Sequence, residues 1–140
     1  MLFQGPFYQF GTSAYTNLIF NAYSQNAAGD NMGMTWPVDR EILGTDWSHL
    51  TVVVAYPRIR FYRNGQLIRD AWMPFSLESP RENGSTIRLG SSGRYFGFVD
   101  LDEVMVFNRA LSAADVKDLA TGKLPTGNTP SRHPDGAVLV

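Results

Sequence analysis

No cysteine occurs among the 140 residues. Structural disulfides, thiol catalysis and zinc sites built on Cys ligands are therefore excluded. The compartment stays open, because secreted bacterial domains also do without cysteine. Lysine is scarce, with 2 residues against 10 arginines, and those positive charges are spread along the chain rather than clustered. The formal net charge is −1, so neither a global basic field for nucleic acid nor an acidic tail is present. The two histidines, His49 and His133, are too few for a His-rich metal centre. No apolar run approaches the roughly 18–20 residues of a membrane span, so no membrane insertion is expected. Gly-x-Ser-x-Gly elbows, P-loops and Rossmann glycine fingerprints are missing. "GSSGRYFG" has glycines without the lysine and following helix that phosphate binding wants, and Ser91 and Ser92 have no positioned base nearby in sequence.

What remains is a chain long enough for one domain with one core, 44% hydrophobic and with a generous 13% of aromatic residues. Its first residues, "MLFQGPFYQF", carry no positive charge ahead of an apolar core and do not read as a signal peptide. "LFQGP" resembles the recognition site of a picornaviral 3C protease, a common element of recombinant fusions. Residues 1–6 are thus read as either such a remnant or natural sequence.

The patterning is almost entirely that of strands. "NLIFNAY" (17–23) is rich in β-formers, and "NMGMTW" alternates Met32, Met34 and Trp36 with other residues. "WSHLTVVVAY" (47–56) is apolar on both alternating faces, with Trp47, Val53 and Ala55 on one and Leu50, Val52 and Val54 on the other. This predicts a central strand covered on both sides, with His49 as a satisfied, partly buried histidine. Asn64-Gly65 lies between two β-rich runs and tolerates the positive φ angles of a type I′ turn, which predicts a hairpin. "MPFSLESPRENGS" reads as a loop, "STIRLGSS" as a short strand, "GRYFG" as a turn and "FVDLDEVMVF" as a long strand. Ser112 and Asp115 then fit a capping box, with Leu111 and Val116 placed as its hydrophobic staple and Gly122 at the C-terminal cap. "KLPTGNTPSRHPDG" reads as a linker or tail, followed by a short strand "AVLV". The expected domain spans residues 7–121, with 122–140 as the Pro/Gly-rich tail.

Four motifs in order carry a family resemblance: "WSHLTVV", "FYRNGQLI", "IRLG" and "LDEVMVFNRALSAADVKDLA". From Trp47 to Ala120 the chain resembles the laminin-G-like, concanavalin A-like jelly-roll domains common in large secreted bacterial proteins. The resemblance implies an all-β fold: an antiparallel β-sandwich (a jelly roll) with one short C-terminal helix. Only 46 residues precede Trp47, which leaves room for fewer N-terminal strands than the family's full jelly roll. Where the family usually has a polar residue, this chain has Met105, a hint of a covered face.

Read as a strand, the last motif puts Asp100 and Asp102 on one face and Glu103 on the other. Laminarinase-type glycoside hydrolases share the jelly roll and carry Glu-x-Asp-x-(x)-Glu on one strand, with acid/base and nucleophile both facing the sugar. Val104 stands where the next acid on that face would be needed, so no catalytic residue is assigned and the chain is not expected to be an enzyme. The fold also commonly carries a structural calcium, for which Asp100 and Asp102, with Asp30 and Asn31, are the available oxygen donors. The scaffold reading is adopted instead: Asp102 or Glu103 accepts hydrogen bonds from backbone N–H groups or from Arg109.

Binding suits the fold better. Sugar sites need aromatic faces and a few polar groups for hydroxyls, and Trp36, Tyr62 and Trp72 are by pattern the aromatics least committed to the core, with Trp47 expected inside. Arg58, Arg60 and Tyr62 alternate onto one strand face, as a solvated outer surface or as a contact for an acidic glycan or a protein. The expectation is a non-catalytic module of a larger secreted or surface protein, extracellular and bacterial, that recognises carbohydrate or protein ligands and not nucleic acid. A structural or interaction domain without its own ligand and a divergent glycoside hydrolase are the alternatives. An open sheet edge would be covered by a second copy or by a neighbouring domain.

Overall fold

The computed structural model describes residues 3–4, 8–13, 17–25, 31–39, 46–75, 88–89 and 100–125. The expected loop after Phe75, the "GRYFG" turn with Ser91 and Ser92, Asp30, and the tail with His133 and "AVLV" lie outside these residues.

Among the described residues eight strands and one helix follow in order: β1 (Phe3–Gln4), β2 (Tyr8–Ser13), β3 (Asn17–Gln25), β4 (Asn31–Asp39), β5 (Leu50–Ala55), β6 (Arg58–Arg63), β7 (Gln66–Trp72), β8 (Arg88–Leu89) and α1 (Ala113–Leu119). They form a five-stranded sheet ordered β4-β3-β2-β1-β8 and a three-stranded sheet ordered β5-β6-β7. Every pairing between them is antiparallel. The fold is therefore all-β with one short helix, as expected. Within the three-stranded sheet the middle strand is β6, however, and β5 is an outer one. β4 is an outer strand of the larger sheet, where Pro37, lacking an N–H, is tolerated.

Both faces of the small sheet carry a buried cluster. Along β6 the side chains alternate, so Ile59 and Phe61 point one way and Arg58, Arg60 and Tyr62 the other. On the first face Ile59 and Phe61 join Trp36 of β4 with Met73 and Phe75 in one buried cluster, flanked by Val52, Val54 and Ala71. Trp36 thus gives the two sheets a shared core, which is what a sandwich requires. On the second face Val53 and Tyr62 are buried with Leu111, Val116 and Leu119, and Met105 and Phe107 pack against them. The helix is the cover here.

Local chemistry explains where that cover begins and ends. Ser112 accepts the Asp115 N–H, and the Asp115 carboxylate accepts the Ser112 N–H in return at 2.9 Å, closing the capping box. Leu111 and Val116, the staple, are both buried. At the other end Gly122 adopts φ +77°, its N–H donating to the Leu119 carbonyl and that of Lys123 to the Asp118 carbonyl. The Asn64-Gly65 turn has positive φ at both residues, 49° and 77°, as a type I′ turn needs.

Residues 101–107 depart from expectation: they are irregular rather than a strand. Glu103 sits at φ +49°, in the left-handed region, so period-two alternation is broken at the pair of acids.

Candidate functional site

The β6–β7 hairpin gathers a set of polar and aromatic groups on the part of its second face beyond the helix-covered Tyr62. Directly opposed residues of an antiparallel pair share a face. Arg58 opposes Trp72, and Arg60 opposes Asp70. This register depends on an irregularity: Phe61 pairs with Arg69 while Tyr62 pairs with Leu67, leaving Ile68 as an extra residue on β7.

Arg58 donates from Nε to Asp70 Oδ1 at 3.0 Å, and its NH2 lies 3.0 Å from the same oxygen. Arg60 Nε reaches Asp70 Oδ2 at 3.4 Å. The Arg58 hydrogen bond, with the Arg60 guanidinium beside it, holds the Asp70 carboxyl below its usual range. Trp72 is 56% exposed, and Tyr56, in the turn between β5 and β6, is 58% exposed. The result is an open surface of two arginines, a carboxylate and the Trp72 indole.

Of the expected ligand-binding residues, the structure brings Arg58, Arg60 and Trp72 together and removes the other two. Tyr62 shares their face but is 5% exposed beneath α1, and Trp36 is 2% exposed between the sheets. Neither ring offers a face to a ligand. Trp47 errs the opposite way: expected in the core, it precedes β5 in an irregular segment and is 70% exposed. Asp70 was not foreseen. Asp70 is two residues before Trp72 and so shares its face, the one signal that could have found it.

The acidic segment is built differently from expectation. Asp100 and Asp102 are exposed, and Asp102 Oδ1 accepts the N–H of its neighbour Glu103 at 2.8 Å. Arg109, the expected partner of Asp102, instead pairs with Asp115 at 2.9 Å. Calcium takes six to eight oxygens, yet among the described residues no three His, Cys, Asp or Glu side chains come together to hold a metal. Asp30 and the Asn31 side chain, the other expected donors, lie outside the described residues. His49 is half-buried, its backbone N–H donating to Asn64 Oδ1 at 2.9 Å and its Nδ1 3.4 Å from Thr51 Oγ1. Burial pushes its imidazole below the ordinary value of 6.5, and the charge of Glu103 opposes that shift.

Comparison with known proteins adds the following. A laminin-G-type family model, described as the concanavalin A-like lectin/glucanases superfamily, matches residues 2–117. No curated protein matches the chain. Among solved structures it is similar to an S-layer domain-containing protein from Clostridium thermocellum, at 19% identity and a TM-score of 0.39. That similarity covers 84% of this chain and 63% of the other, so the chain spans less than two thirds of that structure. Among the described residues no helix is long and apolar enough to cross a membrane.

Proposed function

The chain belongs to the concanavalin A-like lectin/glucanase superfamily, and on that premise we propose that it is a non-catalytic, carbohydrate-recognising module of a larger secreted or surface protein. The observation that carries this reading is the exposed Trp72 beside the Arg58–Asp70–Arg60 cluster. A sugar ring has an apolar C–H face that stacks on an indole and hydroxyls that bond to guanidinium and carboxylate groups. All four side chains project from one β-hairpin, whose register fixes their spacing before any ligand arrives.

The superfamily holds both lectins and glucanases, and the chemistry of the face favours the former. A glycosidase needs a carboxylic acid that keeps its proton near neutral pH and a second carboxylate facing the same bond. Asp70, the carboxylate of this face among the described residues, is pulled in the other direction by two guanidiniums.

The test is binding to a panel of immobilised neutral and acidic polysaccharides, with wild type and Trp72→Ala compared. Because Trp72 is exposed, the variant should melt within about 0.5 kcal/mol of wild type and bind at least about tenfold more weakly, the equivalent of 1.4 kcal/mol. Wild-type protein that binds no glycan, or binding indifferent to the loss of Trp72, would sink the proposal.

A further inference from the structure

We infer that the hairpin face is selective for anionic glycans, with Arg60 as the residue that reads the negative charge. This rests on the carbohydrate reading above and names its ligand class.

Among the described residues the two guanidiniums of the face meet a single carboxylate, so these three groups together carry one positive charge in excess, in a chain whose net charge is −1. The hydrogen-bond inventory makes the excess concrete. Each guanidinium has five N–H donors. Arg58 directs Nε and NH2 at Asp70 Oδ1, whereas Arg60 commits only Nε, and at the longer distance of 3.4 Å. NH1 and NH2 of Arg60 have no acceptor among the described residues. Asp70 in effect orients both side chains, and the Arg60 side chain stays 40% exposed.

Folding energy does not account for this arrangement. An exposed ion cluster contributes little to stability and is screened by salt, and an exposed indole beside it contributes less than a buried one. A ligand accounts for both. An uronic acid or sulfated sugar presents a stacking face to Trp72 and, on the same ring, an anion that a guanidinium receives through two parallel hydrogen bonds. Arg60 opposes Asp70, whose neighbour on the same face of β7 is Trp72, so the donor and the platform are diagonal neighbours on adjacent strands, about 7–8 Å apart and within reach of these long side chains.

The test uses two pairs of polymers that differ in charge and not in backbone: polygalacturonate against its methyl ester, and dextran sulfate against dextran. The full chain should bind the anionic member of at least one pair about tenfold or more tightly. That preference should fade as salt approaches about 1 M, where the Debye length is about 3 Å. Arg60→Gln keeps the length and polarity of the side chain and should bring the ratio within the pair close to one, with an unchanged melting temperature showing that the variant is folded. Equal affinity within both pairs, or a ratio untouched by Arg60→Gln, overturns the inference and leaves carbohydrate recognition standing. Binding to neutral glycans alone has the same meaning. Polyglutamate bound as tightly as the anionic glycan, and equally well by Trp72→Ala, assigns the face to acidic protein and also overturns it. Binding to no glycan overturns the underlying function as well.

Discussion

At Gly65 the backbone turns with φ +77°, and a Cβ placed there would stand 3.2 Å from both the Ala120 Cβ and the Lys117 Cα. Gly122 has the same φ with nothing within 4 Å. The two glycines therefore separate two effects that are usually entangled. Alanine at Gly122 meets only the left-handed backbone penalty, about 1–2 kcal/mol. Alanine at Gly65 meets that penalty and also pushes α1 off the hairpin turn. Denaturant unfolding should find Gly65→Ala clearly the more destabilised, by about 1 kcal/mol or more beyond Gly122→Ala, as expected of overpacking; equal losses would mean that the helix yields freely. From the sequence, Asn64-Gly65 was legible as a turn because only local φ preferences are involved. That a helix some fifty residues later rests on it was not, because close approach is a tertiary fact.

The β6–β7 hairpin and α1 show how far patterning reaches along an element. Capping box, staple and C-terminal glycine cap were all readable, since each is a short-range rule and each is satisfied here. Ser112→Ala should cost about 1 kcal/mol, seen as a lower midpoint in urea with an unchanged slope. The binding face was readable only in part. Counting outward from the turn without an extra residue would set Arg69 against Arg60. The bulge at Ile68 puts Asp70 there instead, which makes the arginine pair into a cluster with a carboxylate. Nothing in the local pattern marks Ile68 as the residue left out of the ladder. Alternation failed in a second way at Glu103, whose φ of +49° turned an expected strand into an irregular segment. Trp36 and Tyr62 failed for another reason: period two assigns residues to faces, and what covers each face is decided by other elements, here the opposite sheet and the helix.

Over the whole molecule, stability is tied to pH through His49, Asp70 and Asp115. The folded-state pKa of His49 lies below the ordinary 6.5, so as pH falls the unfolded chain takes up this proton first. Its contribution is complete above about 6.5 and declines below that, until the lower folded-state value is reached. Melting temperature should therefore drop between about pH 7 and pH 5, and His49→Gln should flatten that part of the curve. An identical slope in the variant would assign the drop to other groups. Asp70 and Asp115 act lower on the scale: both are shifted down, so what they add is present above their ordinary value of 3.8 and is lost as pH falls through the depressed ones. The pair of buried clusters on the small sheet also has a consequence in time. A ribosome delivers the chain from its amino end, so Trp36 is at hand when Ile59 and Phe61 emerge, and that face can close at once. Among the described residues Val53 and Tyr62 have no such neighbour, and they wait, wetted, for Leu111, Val116 and Leu119. For the nascent protein, "LDEVMVFNRALSAADV" is the segment whose arrival ends the interval in which half of a hydrophobic sheet is bare.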